Sequence, residues 1–169
     1  MISDEVLKEL AAYWDREGVR SEKVTLGGRL AGSELAQLWQ EVGMPMQDWW
    51  IFSFHAPSDV VTEESEVNFG AAGGWKLYFR LADQSCLARD EQGREHFANS
   101  TVGSFARMLM LWDVAYRRNE SESPGDSGED WDHGTLIADE MEEAMRRIDP
   151  RAFAEASFLW PVLIFDMAR

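Results

Sequence analysis

The chain has 169 residues, enough for one domain that buries about two-thirds of its unfolded surface, and its hydrophobic share of 45% includes eight Trp and nine Phe to fill a core. Sixteen Lys and Arg stand against 31 Asp and Glu, a formal net charge of −15. That balance excludes nucleic acid and anionic membrane surfaces as partners, since both require clustered cations, and it steers basic proteins toward the chain.

Cys86 is the only cysteine, so neither an intrachain disulfide nor a cysteine-based zinc site can form, and it reads as a small hydrophobe within a strand. The start Met1-Ile2-Ser3-Asp4-Glu5 is acidic where a signal peptide is basic, and no apolar run reaches the length of a membrane span. The expectation is a cytoplasmic protein.

Ser3 is a good N-cap for a helix whose apolar stripe is Val6, Leu7, Leu10, Tyr13 and Trp14 and which stops near Gly18; Asp4 and Glu5 complement its dipole. Val24 to Leu30 reads as a weak short strand, weakened by Gly27-Gly28. Ser33 caps a second helix with Leu35, Leu38, Trp39 and Val42 on one face, ended by Gly43 in a left-handed cap and by Pro45. Trp49 to His55 is a strand with aromatic side chains on both faces. Pro57 to Glu66 is a polar connection, Val67 to Phe69 extends an edge strand, and Gly70 to Gly74 is a flexible break.

Trp75, Leu77, Phe79 and Leu81 then alternate with Lys76, Tyr78, Arg80 and Ala82, the period-two pattern of a strand with one face toward a core. Ser85 to Arg89, a turn around Gly93, and Glu95 to Ala98 complete a meander. Asn99, Ser100 and Thr101 are candidate caps for a long helix lined by Phe105, Met108, Leu109, Trp112 and Tyr116. Residues 119–134, rich in Ser, Gly and acid, read as a mobile acidic loop. A helix from Thr135, with Ile137, Met141, Ala144, Met145 and Ile148 inward, ends at Asp149-Pro150. Phe153 plugs the core, and a last helix begins near Pro161.

The Gly-containing hairpin, Phe97-Ala98-Asn99-Ser100, the helix with Phe105 and Leu109, and then Ile148-Asp149-Pro150, Ala152-Phe153 and Trp160 follow in an order and spacing that resembles the bacterial SUKH superfamily of immunity proteins, specifically its fourth subfamily, over roughly residues 35–168. The resemblance implies an α+β single domain: a mostly antiparallel twisted sheet of about four to six strands packed with about five helices. It also implies a non-catalytic protein that neutralises a cognate toxin domain by binding it. The superfamily also includes yeast cell-wall regulators, so an intracellular interaction module without a toxin is the alternative.

The residues themselves offer no catalytic, cofactor or metal site. Counted from Asp130 as a calcium loop, the sixth position is Thr135 where Gly is required and the twelfth is Met141 where Glu is required. His133 interrupts any Asp-x-Asp-Gly-Thr phosphatase motif, and the Gly70 to Gly74 run precedes a strand and lacks the P-loop Lys. His55, His96 and His133 share no ligand spacing; His55 and His96 are both on predicted strands and could meet. The partner surface is sought instead among acidic groups, with Glu63, Glu64, Glu66, Asp126, Glu129, Asp130 and Asp132 as contacts for a basic toxin surface. Trp131 is their aromatic anchor. The acids Asp139, Glu140, Glu142 and Glu143 read as a solvated face, because Arg146 and Arg147 follow Glu142 and Glu143 at i+4.

Overall fold

The computed structural model describes residues 1–45, 50–57, 65–122, 130–155 and 158–167. The Ser3 hydroxyl accepts from the Val6 amide and opens α1 (Asp4–Arg16), which buries Leu7, Leu10, Tyr13 and Trp14. Ser33 does the same for Ala36 at 3.1 Å and opens α2 (Glu34–Glu41). Gly43 then turns the chain with φ 82°. That turn lets β2 (Met44–Pro45) pair antiparallel with β1 (Ser21–Glu22). The strand expected over Val24 to Leu30 does not form. The ladder lies just before it, and Gly28–Leu30 is a single 3-10 turn, because Gly27-Gly28 has no side chains to hold a pleat.

The main sheet is a five-stranded antiparallel meander in chain order: β3 (Phe52–Phe54), β4 (Glu66–Ala72), β5 (Trp75–Arg80), β6 (Cys86–Arg89) and β7 (Glu95–Asn99). Two expectations are corrected here. β4 is an internal strand that continues through Gly70 to Ala72, so only Gly73-Gly74 form a turn. Gly70 keeps its place because a Cβ there would lie 2.5 Å from the Ser53 carbonyl oxygen; the missing side chain lets β3 approach. β3 is also shorter than Trp49 to His55. Trp49 lies outside the described residues, and Trp50 sits in a turn with φ 59°.

Thr101 caps α3 (Val102–Glu122), accepting from the Ser104 amide at 3.0 Å, while Asn99 and Ser100 are used elsewhere. The acidic loop expected over 119–134 is corrected at both ends: α3 runs on through Glu122, and α4 (Asp130–Ile148) already begins at Asp130. Local composition there favours a loop, but the two helices pack along each other, and α4 is already under way at Asp130. Residues 123–129 lie outside the described set. Pro150–Phe153 forms a 3-10 turn, and α5 (Leu159–Met167) starts two residues before Pro161. Pro161 is still within the first turn, where amides have no intrahelical acceptor and its missing N–H costs nothing.

Helices α3 and α5 cover the inner face of the sheet. Phe105 meets Phe69 with ring centroids 5.5 Å apart and Trp160 at 5.7 Å, and Trp112 meets Phe52 at 6.1 Å. The opposite face carries Glu66, Asn68, Lys76, Tyr78, Arg80, Arg89, Glu95 and Phe97, brought together by the registers Glu66↔Arg80, Asn68↔Tyr78, Lys76↔Arg89, Leu87↔Phe97 and Arg89↔Glu95. The fold is thus α+β: among the described residues, five α-helices with two antiparallel sheets of five and two strands, as the resemblance implied.

Two glycines with positive φ separate backbone preference from close approach. At Gly18 (φ 64°) nothing lies within 4 Å of an added Cβ; at Gly43 that atom would meet the Glu22 carbonyl oxygen at 2.6 Å. Gly18→Ala should therefore lower unfolding free energy by about 1 kcal/mol, the cost of the left-handed conformation. Gly43→Ala should cost clearly more, since it also pushes β1 from β2; urea melts of the two variants compare them directly.

Candidate partner interface

Two buried carboxylates tie the helical layer together. Asp149, 3% exposed, is stopped outside the helix by Pro150 and turns its side chain to the start of α3. One oxygen accepts from the Ser100 amide at 2.6 Å and from Asn99 Nδ2 at 3.3 Å; the other accepts from the Ser100 hydroxyl at 3.0 Å. Asn99 in turn accepts from Trp160 Nε1 at 2.8 Å. The Asn-Ser, Asp-Pro and Trp motifs of the sequence are therefore one connected network, and its work is structural.

The second carboxylate, Asp113, was not visible as special in the sequence. It is completely buried on α3 and accepts from Tyr13 Oη at 2.6 Å, Trp50 Nε1 at 2.6 Å and Arg117 Nε at 2.8 Å. An acid within the inward stripe between Leu109 and Tyr116 was the available signal, since a buried carboxylate must be given partners. Burial, and then the bond to Asp113, push the Tyr13 phenol far above its ordinary range. Trp50 packs on Tyr116 with centroids 4.0 Å apart and the rings tilted by 35°, and Arg117 lies 6.0 Å from the Trp50 ring. Its positive φ is rare for a bulky residue and costs about 1–3 kcal/mol, held in place by the contacts around it.

On the open sheet face, Glu66 and Glu95 bind the guanidinium groups of Arg80 and Arg89: Arg80 to Glu66 at 3.0 Å and to Glu95 at 2.7 Å, Arg89 to Glu95 at 3.3 Å and also to Glu66. Arg89 pairs with Lys76 in register yet reaches Glu66, so its side chain lies down across Tyr78, 4.5 Å from the ring. Burial raises the Glu95 carboxyl, but the Arg80 and Arg89 bonds outweigh it and hold Glu95 below its ordinary value.

Of the acidic residues predicted to contact a partner, Glu66 is this ion-paired residue. Asp130, Trp131 and Asp132 lie in the first turn of α4, and Glu63, Glu64, Asp126 and Glu129 lie outside the described residues. On α4, Glu142 and Glu143 pair with Arg146 and Arg147, and Glu140 pairs with Arg118 across to α3.

The histidines do not converge. His55 follows β3 at one edge of the sheet and His96 is on β7 at the other, roughly 19 Å away over four strand spacings. His96 contacts Asp90 at 3.1 Å and stacks on Trp75 at 4.6 Å. Cys86 is buried, and burial pushes its thiol well above the ordinary value, which makes it a poor nucleophile.

Two variants test these networks. Asp149→Ala leaves the Ser100 amide and hydroxyl without their acceptor and takes one of two partners from Asn99 Nδ2, which keeps Met108 Sδ at 2.9 Å, and should cost about 3 kcal/mol in urea unfolding. Because the Tyr13 phenol titrates higher in the folded chain than its unfolded value of about 10, its contribution is fully present below that pH and is lost as pH rises beyond it. The urea midpoint should fall above about pH 10, and Tyr13→Phe should flatten that fall.

No curated protein and no solved structure matches the chain. The family model for SUKH-4 immunity proteins matches residues 7–166, from the first turn of α1 into α5. The chain belongs to the SUKH-4 immunity protein family.

Proposed function

We propose that this protein is a stoichiometric inhibitor: it binds the catalytic domain of a cognate bacterial polymorphic toxin and occludes its active site, with no turnover of its own. Family membership across residues 7–166 carries the reading. The charge of −15 supports a basic toxin surface as the partner, because opposite fields accelerate encounter and select against wrong partners. The contacts we assign are the acidic positions Glu63, Glu64, Asp126, Glu129, Asp130 and Asp132 with Trp131 among them. Glu66 contributes indirectly by fixing Arg80 and Arg89. If the toxin acts on nucleic acid, carboxylates so placed compete with phosphates for its cationic groove. A cytoplasmic site of action follows, since the toxin is met where its target is.

The experiment is co-expression with the toxin domain encoded beside the gene, followed by co-purification and calorimetry. The expected result is rescue of growth with a one-to-one complex. Its affinity should fall several-fold between 0.1 M and 1 M salt, as the screening length drops from about 10 Å to about 3 Å. A toxin that stays lethal and does not co-purify overturns the reading.

A further inference from the structure

Trp50, Ile51, Tyr116 and Glu120 form a second feature on the surface, built on the Asp113 network. Trp50 and Tyr116 are half-buried, their rings 4.0 Å apart and tilted by 35°, and Ile51, next to Trp50 in the chain, is 40% exposed. Their positions are fixed from below. Asp113 holds the Trp50 indole and Arg117, while Tyr13 on α1 locks Asp113 from the far side. Glu120 lies one turn beyond Tyr116 on the same face of α3 and is exposed, with no ion pair among the described residues. Glu17 sits 4.0 Å from Arg117.

Trp, Tyr and Arg are the residues in which interface energy concentrates, and rigid aromatic side chains lose little freedom on binding. Trp50 and Tyr116 pack their inner sides against the core and leave the rest of each ring toward solvent, while Ile51, 40% exposed, adds nothing to the interior. Local charge selects the occupant. Asp113 and Glu17 are taken up by Arg117 and Arg16, which leaves Glu120 as the carboxylate at the margin, and the ring faces themselves attract cations.

We propose that the Trp50–Tyr116 pair, with Ile51 and Glu120 at its margin, is an anchor for a basic side chain of the toxin: an arginine or lysine whose stem packs on the rings and whose charge meets Glu120. The inference rests on the toxin-binding reading and names a site within it.

The test measures binding of the neighbouring toxin domain to the full chain by calorimetry, comparing Tyr116→Ala, Glu120→Lys and Glu5→Lys, with folding checked by circular dichroism. Glu5→Lys makes the same charge change as Glu120→Lys but lies in the first turn of α1, about 18 Å along that helix from Glu17. Tyr116→Ala and Glu120→Lys should each weaken binding about tenfold or more, while Glu5→Lys changes it little. Should Tyr116→Ala be unstable, Ile51→Ser at the exposed margin gives the aromatic-side readout, with a loss of several-fold. Wild-type affinity in Tyr116→Ala or Ile51→Ser together with Glu120→Lys overturns the anchor and leaves the inhibitor reading standing. Equal weakening by Glu5→Lys and Glu120→Lys also overturns it, since net charge alone would then be acting. Absence of any complex with the wild-type chain overturns both.

Discussion

Asp149 does for this fold what no apolar contact could. A hydrophobic core sets which faces meet but tolerates sliding, whereas a carboxylate bound to a particular backbone amide sets register. By accepting from the Ser100 amide at the entrance to α3, Asp149 places a negative charge at the positive end of that helix and ties the stop of α4 to the end of β7. Trp160 then reaches Asn99 from α5, so sheet edge, central helix and C-terminal helix share one chain of hydrogen bonds. Pro150 is part of the device: it forces Asp149 out of the helical region, to φ −147°, where its side chain can turn toward Ser100.

Much of this was legible in advance, for reasons tied to particular residues. The stripes of α1 and α2, their serine caps, the alternation of β5 and the inward side of α3 are local periodic patterns, and local patterns are what a sequence displays. Where tertiary contacts override composition, local pattern misleads. Gly70-Ala71-Ala72 resembles a break until Ser53 is seen to need the space of a side chain. Asp130 to Gly134 resembles a loop until α4 is laid beside α3. The family motifs were legible as motifs, but their role was not, because Asn99, Ser100 and Asp149 meet only in the folded chain. Of the proposed partner surface, the acidity is readable from composition and the aromatic geometry is not. Nothing in the spacing of Tyr13, Trp50 and Asp113 announces that they touch.

Net charge is also a poorer guide to the surface than the pattern of pairing. Glu66 and Glu95 are spent on Arg80 and Arg89, and Glu140, Glu142 and Glu143 on Arg118, Arg146 and Arg147. The exposed pairs on α4 add little stability each, and all of these pairs, the part-buried Glu66 ones included, remove their members from the set that can attract a partner at short range. What remains without an ion pair among the described residues, such as Glu120 and Asp139, is a smaller set that long-range steering and close recognition must share.

An inhibitor that works by occupancy gains affinity when its contact residues are already ordered before binding. The Asp113 network supplies such order at a cost, since it holds a tryptophan in a strained backbone and buries a carboxylate that needs all three donors. It also divides the labour. Tyr13, Asp113 and the Trp50 indole N–H are committed to holding the platform, and changing any one leaves buried partners unsatisfied. Ile51, Tyr116 and Glu120 make none of these bonds. If the proposed anchor holds, they are the positions at which recognition of a different toxin can be altered while the network beneath them stays intact.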